Sequence, residues 1–177
     1  MISMRKNILI GCLIFLTFVF QTFFDAMIPD SFVTPDFLLV TSCSLGFLMG
    51  KRAGMWTGFL SGLLLDLIYS GPFGLTALIF MFAGFFNGFL YKLFFEDDIR
   101  IPMISTGIAD FLYQIVLFIA EKAAVGAAGF GTCLINMILP EVFATILAVI
   151  PLFLIYRWLA RKVQATQLEE EESPWLR

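Results

Sequence analysis

The sequence predicts an all-α polytopic membrane protein: six transmembrane helices in one bundle, with both termini on the cytoplasmic side. Three observations predict it. The chain has 177 residues, of which 60% are hydrophobic and only 14% charged, with 22 Phe; its mean hydropathy is +0.93. A soluble domain of this size leaves too much surface in water to accept that composition, so lipid is the solvent. Six apolar runs use most of the chain. The basic residues then sort by side. With an inside amino terminus and six crossings, Arg5, Lys6, Lys51, Arg52, Lys92, Arg100, Arg157, Arg161, Lys162 and Arg177 all face the cytoplasm. Only Lys122 falls outside, and the first outer loop carries Asp25, Asp30 and Asp36 instead. Cytoplasmic enrichment of Lys and Arg sets orientation, and adding or removing one crossing scrambles the pattern.

The first run, residues 7–27, follows Arg5 and Lys6 and so resembles a signal peptide. It lacks a small-x-small cleavage site (residues 21–25 read QTFFD), which predicts an uncleaved first span. Residues 37–50 form the second run, entered through Pro35 and Asp36. As a helix this run is about 21 Å long, short of a hydrocarbon core of about 30 Å. Either it starts earlier, near Phe32, or the second and third runs form a short hairpin buried by the others. The third run is 53–69, closed by the turn Ser70-Gly71-Pro72. Residues 74–95 and 101–120 follow, then 133–158. The last run contains Pro140-Glu141. Proline suits the first position of a helix and an acid suits its positive end. The final helix therefore has an alternative start at Pro140, with 133–139 a separate segment. Residues 1–160 are expected to be the membrane domain, and 161–177 an acidic, disordered cytoplasmic tail around Glu169-Glu170-Glu171-Glu172.

Gly46, Gly50, Gly54, Gly58 and Gly62 recur every four residues, and Gly84 and Gly88 repeat the spacing. Small residues so placed let helix backbones approach in lipid, where packing replaces the hydrophobic drive. The series crosses Lys51-Arg52, so it supplies packing surfaces to two helices rather than one straight face. Asp66, Asp110 and Glu141 are the ionisable groups inside the runs. Such groups are costly in lipid and mark either internal hydrogen bonding or an ion pathway. Asp66 lies near the outer end of its run, within reach of the Ser70-Gly71-Pro72 turn. Thr106, Asp110 and Gln114 share one helix face, expected to point inward. No Lys or Arg lies at comparable depth, so hydrogen bonding to groups such as Asn87, Tyr113 or Gln114, protonation, or a wet crevice must accommodate the acids.

Composition excludes several functions. There is no His, which removes Ser-His-Asp and Cys-His catalysis, imidazole proton relays and histidine metal sites. Asp66 and Asp110 lack the Tyr-Asp and Gly-x-Gly-Asp surroundings of aspartyl intramembrane proteases. The glycines lie in apolar runs without the Lys-Ser/Thr of a phosphate loop. A net charge of −3 argues against nucleic acid. Cys12, Cys43 and Cys133 form no C-x-x-C pair and sit in apolar runs. No catalytic, cofactor or metal residue is expected.

Residues 35–40 (PDFLLV) and 50–78 (GKRAGMWTGFLSGLLLDLIYSGPFGLTAL) resemble the MreD family of bacterial rod shape-determining membrane proteins. The carrying positions are Arg52-x-Gly54, Gly58, Gly62, Asp66 and Gly71-Pro72-x-Gly74, with agreement in length, layout and the Asn136…Pro140 region. The acidic tail is outside the pattern. The resemblance implies a non-enzymatic scaffold of the inner (cytoplasmic) membrane. It implies packing against the membrane helix of MreC, in one complex with MreB filaments, RodA and a class B penicillin-binding protein, which together direct side-wall peptidoglycan synthesis. It makes the Lys51-Arg52 turn and residues 92–100 candidate contacts for intracellular partners. A second resemblance, in layout alone, is to the substrate-binding S components of energy-coupling vitamin transporters. Against it, the first run (ILIGCLIFLTFVFQTFF) lacks their Ala-x-x-x-Ala docking face, with Gly11 its only very small residue.

Overall fold

The computed structural model describes residues 2–27, 34–68, 73–90, 99–122 and 134–172. These residues form six α-helices and one π-helical turn: α1 (Ile2–Met27), α2 (Phe37–Met49), α3 (Lys51–Ile68), α4 (Leu75–Leu90), α5 (Arg100–Lys122), the turn Leu134–Ile138, and α6 (Leu139–Glu172). Three of them, within α1, α5 and α6, are long and apolar enough to cross a membrane, while α2 and α4 are shorter apolar helices.

α2 is the axis of the bundle. Every residue from Phe37 to Leu48 is buried, and the helix packs against α1, α3, α4, α5 and α6. One side joins Leu38, Leu39 and Cys43 to Ile14, Leu65, Phe80, Ala83 and Tyr113. The opposite side joins Val40, Phe47 and Leu48 to Val149, Phe153, Tyr156 and Ala160 of α6. A helix sheathed by protein need not match the bilayer thickness, which accounts for a run of 13 residues. Its start is Phe37, not the region of Phe32; residues 28–33 lie outside the described residues.

α2 and α3 are joined by one residue. Gly50 has φ of 90°, in the left-handed region that a side chain disfavours. It therefore serves as the hinge of the hairpin rather than as part of a packing face. Its N–H donates to the Gly46 carbonyl at 2.8 Å, and its own carbonyl accepts from Gly54 N–H at 3.0 Å.

The burial pattern differs from that of a soluble protein. Thr41, Ser42, Ser44, Thr57, Ser61, Asn87, Thr106 and Asp110 are buried, whereas Phe15, Phe23, Phe86, Phe143 and Ile104 are each more than 60% exposed. An exterior so apolar, over a core that mixes apolar and polar side chains, is stable only where the solvent is hydrocarbon.

α6 begins at Leu139, so Pro140 and Glu141 occupy its first turn and the preceding residues form the separate π-helical turn. At its other end α6 runs on to Glu172. Residues 161–172 thus follow a helical course where the composition suggests irregular chain. Gln, Ala, Leu and Glu are good helix formers, and they extend a helix already nucleated by packing. Residues 173–177 lie outside the described residues.

Candidate functional site

Two arrangements stand out: a glycine crossing of α2, α3 and α4, and a polar cluster at the start of α2.

At the crossing three glycines from three helices meet. A Cβ on Gly46 would stand 2.5 Å from the Gly84 carbonyl oxygen and 3.2 Å from Gly54 Cα; one on Gly54 would overlap the same oxygen. Further along the α3–α4 pair, a Cβ on Gly58 would collide with the Phe80 carbonyl, and one on Gly62 would stand 2.6 Å from Ala77 N. Gly88 faces the chain at Gly50 and Lys51. Six of the seven glycines singled out by spacing therefore sit where backbone meets backbone, and Gly50 makes the turn. Gly107 lies under the Ile146 side chain of α6; no repeat in the sequence marks it. Lys51 and Arg52 are exposed at the start of α3.

Asp66 closes the α3–α4 hairpin. Its Oδ2 accepts N–H bonds from Gly74 and Ala77, both at 3.0 Å, and Oδ1 accepts from Thr76 at 3.3 Å. The carboxylate thereby satisfies donors that a helix start leaves open, at the positive end of the α4 dipole. Gly74 has φ of 91°, which turns its N–H toward α3. The contact falls a few residues beyond Ser70-Gly71-Pro72; residues 69–72 lie outside the described residues.

The second cluster forms because α2 starts below the ends of its neighbours. Phe37 N–H donates to Gln21 Oε1 at 2.8 Å, and Gln21 lies six residues before the end of α1. Asp36 N–H donates to Thr145 Oγ1 at 3.2 Å, and Thr145 lies six residues into α6. Six residues of helix correspond to about 9 Å, so both neighbours give the same recess. The non-helical chain at residues 34–36 thus descends into the bundle, with the Asp36 and Phe37 N–H groups met by side chains, as backbone outside a helix requires inside a membrane protein. Phe20 and Phe24 grip the Phe37 ring edge-on, with centroids 5.0 and 5.3 Å away.

Around this recess the carboxyls of Asp36 and Glu141 lie within electrostatic range of each other and of both Asp110 and Asp25. Gln114 sits beside Glu141, and Gln21 Nε2 donates to Asp25 at 3.4 Å. Asp110 and Thr106 are fully buried, and Gln114 partly so, so the stripe faces inward. Asn87 has partners of its own: it accepts from Ser105 and donates to Ala83 O at 3.0 Å. Tyr113 stacks edge-on against Phe80, with centroids 5.1 Å apart. Neither Asp110 oxygen has a hydrogen-bond partner among the described residues. Those residues contain no group of three or more His, Cys, Asp or Glu able to hold a metal ion.

Toward the opposite end, Thr17, Thr41 and Tyr156 form a hydroxyl triangle linking α1, α2 and α6. Tyr156 Oη lies 3.0 Å from Thr17 Oγ1 and 2.8 Å from Thr41 Oγ1. Leu48, Ala160, Leu90, Ile99 and Ile10 pack at that end, next to Lys51, Arg52, Arg100 and Arg161 in sequence. The bundle therefore has a basic end and, around the recess, an acidic one.

Helices of spanning length and an apolar exterior that encloses buried polar groups define a helical membrane protein. A family model for the rod shape-determining protein MreD matches residues 3–163, and the chain belongs to that family. No curated protein and no solved structure matches it.

Proposed function

We propose that the chain is a membrane scaffold of the cell-elongation complex, crossing the cytoplasmic membrane six times with both termini inside. The family match over residues 3–163 carries the reading. MreD proteins serve rod shape determination as structural membrane components. In this role the chain packs with MreC and links MreB filaments to RodA and a class B penicillin-binding protein. The gathering of basic residues at one end of the bundle supports the inside orientation of that end. Close glycine packing of α2, α3 and α4 supports a rigid body that presents lipid-facing surfaces to partner helices. Nothing in the fold favours the transporter-component reading.

Depletion of the protein from its host tests the proposal. Rounding of rod-shaped cells, with MreC co-purifying with the tagged protein, is the expected result. Unchanged shape on depletion would overturn it. Orientation is tested separately by single cysteines in a Cys-free background, at Lys51 and in the 28–33 segment. The first is expected to react with a membrane-impermeant thiol reagent only from the cytoplasmic side, and the second only from outside.

A further inference from the structure

Scaffolding does not account for Asp110. Its side chain is fully shielded and both carboxyl oxygens lack hydrogen-bond partners among the described residues. One helical turn away, on the same face of α5, the Thr106 hydroxyl is equally buried and also lacks a partner. Thr145 of α6 holds its hydroxyl beside the carboxyl while accepting the Asp36 N–H. Asp36 Oδ2 is another buried oxygen without a hydrogen-bond partner among the described residues. The cations whose side chains are described, Lys51, Arg52, Arg100, Arg157, Arg161 and Lys162, belong to the basic end of the bundle. The partial positive charge at the start of α2 is already directed, through Phe37 N–H, to Gln21. A carboxylate left unpaired in so dry a place is strongly unfavourable. A cation is the chemistry that relieves it.

We propose that Asp110, with the hydroxyls of Thr106 and Thr145, forms a site for a small monovalent cation, H⁺ or Na⁺. The donors are oxygens alone, one carboxylate with neutral hydroxyls, which suits a hard ion of single charge. A divalent ion gathers more oxygen ligands and usually more than one carboxylate, and the described acids do not group closely enough for one. The other titratable groups facing Asp110 are Cys43 of α2, Asp36 before it and Glu141 of α6; Tyr113 of α5 faces Asp36 and Glu141 instead. Asp25 of α1 acts on Asp36 and Glu141, and Asp66 is committed to the start of α4. The acids raise the negative potential at the site from its open-chain side, which favours cation entry from the acidic end. Because Asp110 joins α5 to α2 and α6, occupancy tightens the contact between the α2–α4 hairpins and the two long helices.

The test uses the full chain in lipid nanodiscs. The unfolding midpoint is followed against NaCl, with choline chloride holding ionic strength constant, and against pH in choline chloride alone. A ligand that binds only the native state lowers the unfolded fraction about a hundredfold at one hundred times its Kd. The expected result is a midpoint that rises with Na⁺, assigning Na⁺, or with acidification alone, assigning H⁺. In Asp110→Asn that dependence is lost. Thr106→Val keeps shape and removes one donor, so it weakens the dependence and carries the test if Asp110→Asn does not fold. A wild-type midpoint indifferent to both cations overturns the proposal, as does an unchanged dependence in Asp110→Asn or, failing that variant, in Thr106→Val.

Discussion

Replacing Gly54 by Ala adds one methyl group at the point where α2, α3 and α4 meet. Its Cβ would stand 2.7 Å from Gly46 Cα and 2.7 Å from the Gly84 carbonyl carbon, and closer still to the carbonyl oxygen. Carbon atoms rest about 3.5–4.0 Å apart, so the backbones must separate by roughly 1 Å. All three neighbours are backbone, so no side chain can rotate away. Overpacking of this kind costs about 1–3 kcal/mol, against which Ala gains about 1 kcal/mol of helix propensity over Gly. Because every contact is with backbone, the cost falls in the upper part of that range, about 2–3 kcal/mol, and the net expectation is a loss of about 1–2 kcal/mol. Gly11 of α1 supplies the internal control, since a Cβ there meets nothing within 4 Å. Gly11→Ala keeps the propensity gain without the clash and is expected to stabilise by about 0.5–1 kcal/mol. Reversible unfolding of the purified variants in mixed micelles, titrated with a denaturing detergent, measures both. The reasoning is refuted if Gly54→Ala is as stable as wild type, or if both variants shift the same way by the same amount.

Two further predictions concern single polar contacts. Asp66→Ala removes three acceptor bonds from the start of α4 and is expected to cost about 2–3 kcal/mol, with Asp66→Asn intermediate because one oxygen remains. Hydrogen exchange should quicken first at Gly74, Thr76 and Ala77, and uniform quickening along α4 would speak against a local cap. Tyr156→Phe breaks the hydroxyl triangle, but Thr17 still donates to Leu13 O at 2.8 Å and Thr41 to Phe37 O at 2.7 Å. The expected cost is therefore only about 0.6–1 kcal/mol, read by the same detergent titration. A loss as large as that of Tyr156→Ala would show that the threonines cannot stand alone.

How much of this was legible varies with the range of the contact. The helix runs were readable because apolar composition and length are local properties, and Asp66 was nearly so because its partners lie 8–11 residues away. The four-residue glycine spacing announced close packing, yet not which glycines meet. Gly46, Gly54 and Gly84 converge only because the Gly50 hinge folds α2 against α3. The recess at the start of α2 was not readable. Asp36 appeared as one acid of a loop, and Thr145 as an unremarked residue of the last run. Their hydrogen bond spans 109 positions, and no pattern in one sequence encodes a pairing at that distance. Nor could periodicity show that a short apolar run is enclosed by other helices rather than by lipid, since both surroundings select the same residue types.

By itself the sequence determined the solvent, the helical class and the candidate groups: composition selects lipid over water, and lipid leaves only structures that satisfy their own backbone. The tertiary structure alone decided that α2 is the enclosed axis, that Asp66 caps a helix while Asp110 is buried without a hydrogen bond among the described residues, and that Gly50 turns the chain where its neighbours pack it. These outcomes depend on which surfaces meet. In hydrocarbon that is set by close packing and hydrogen bonding between distant segments, which residue identity constrains but does not assign.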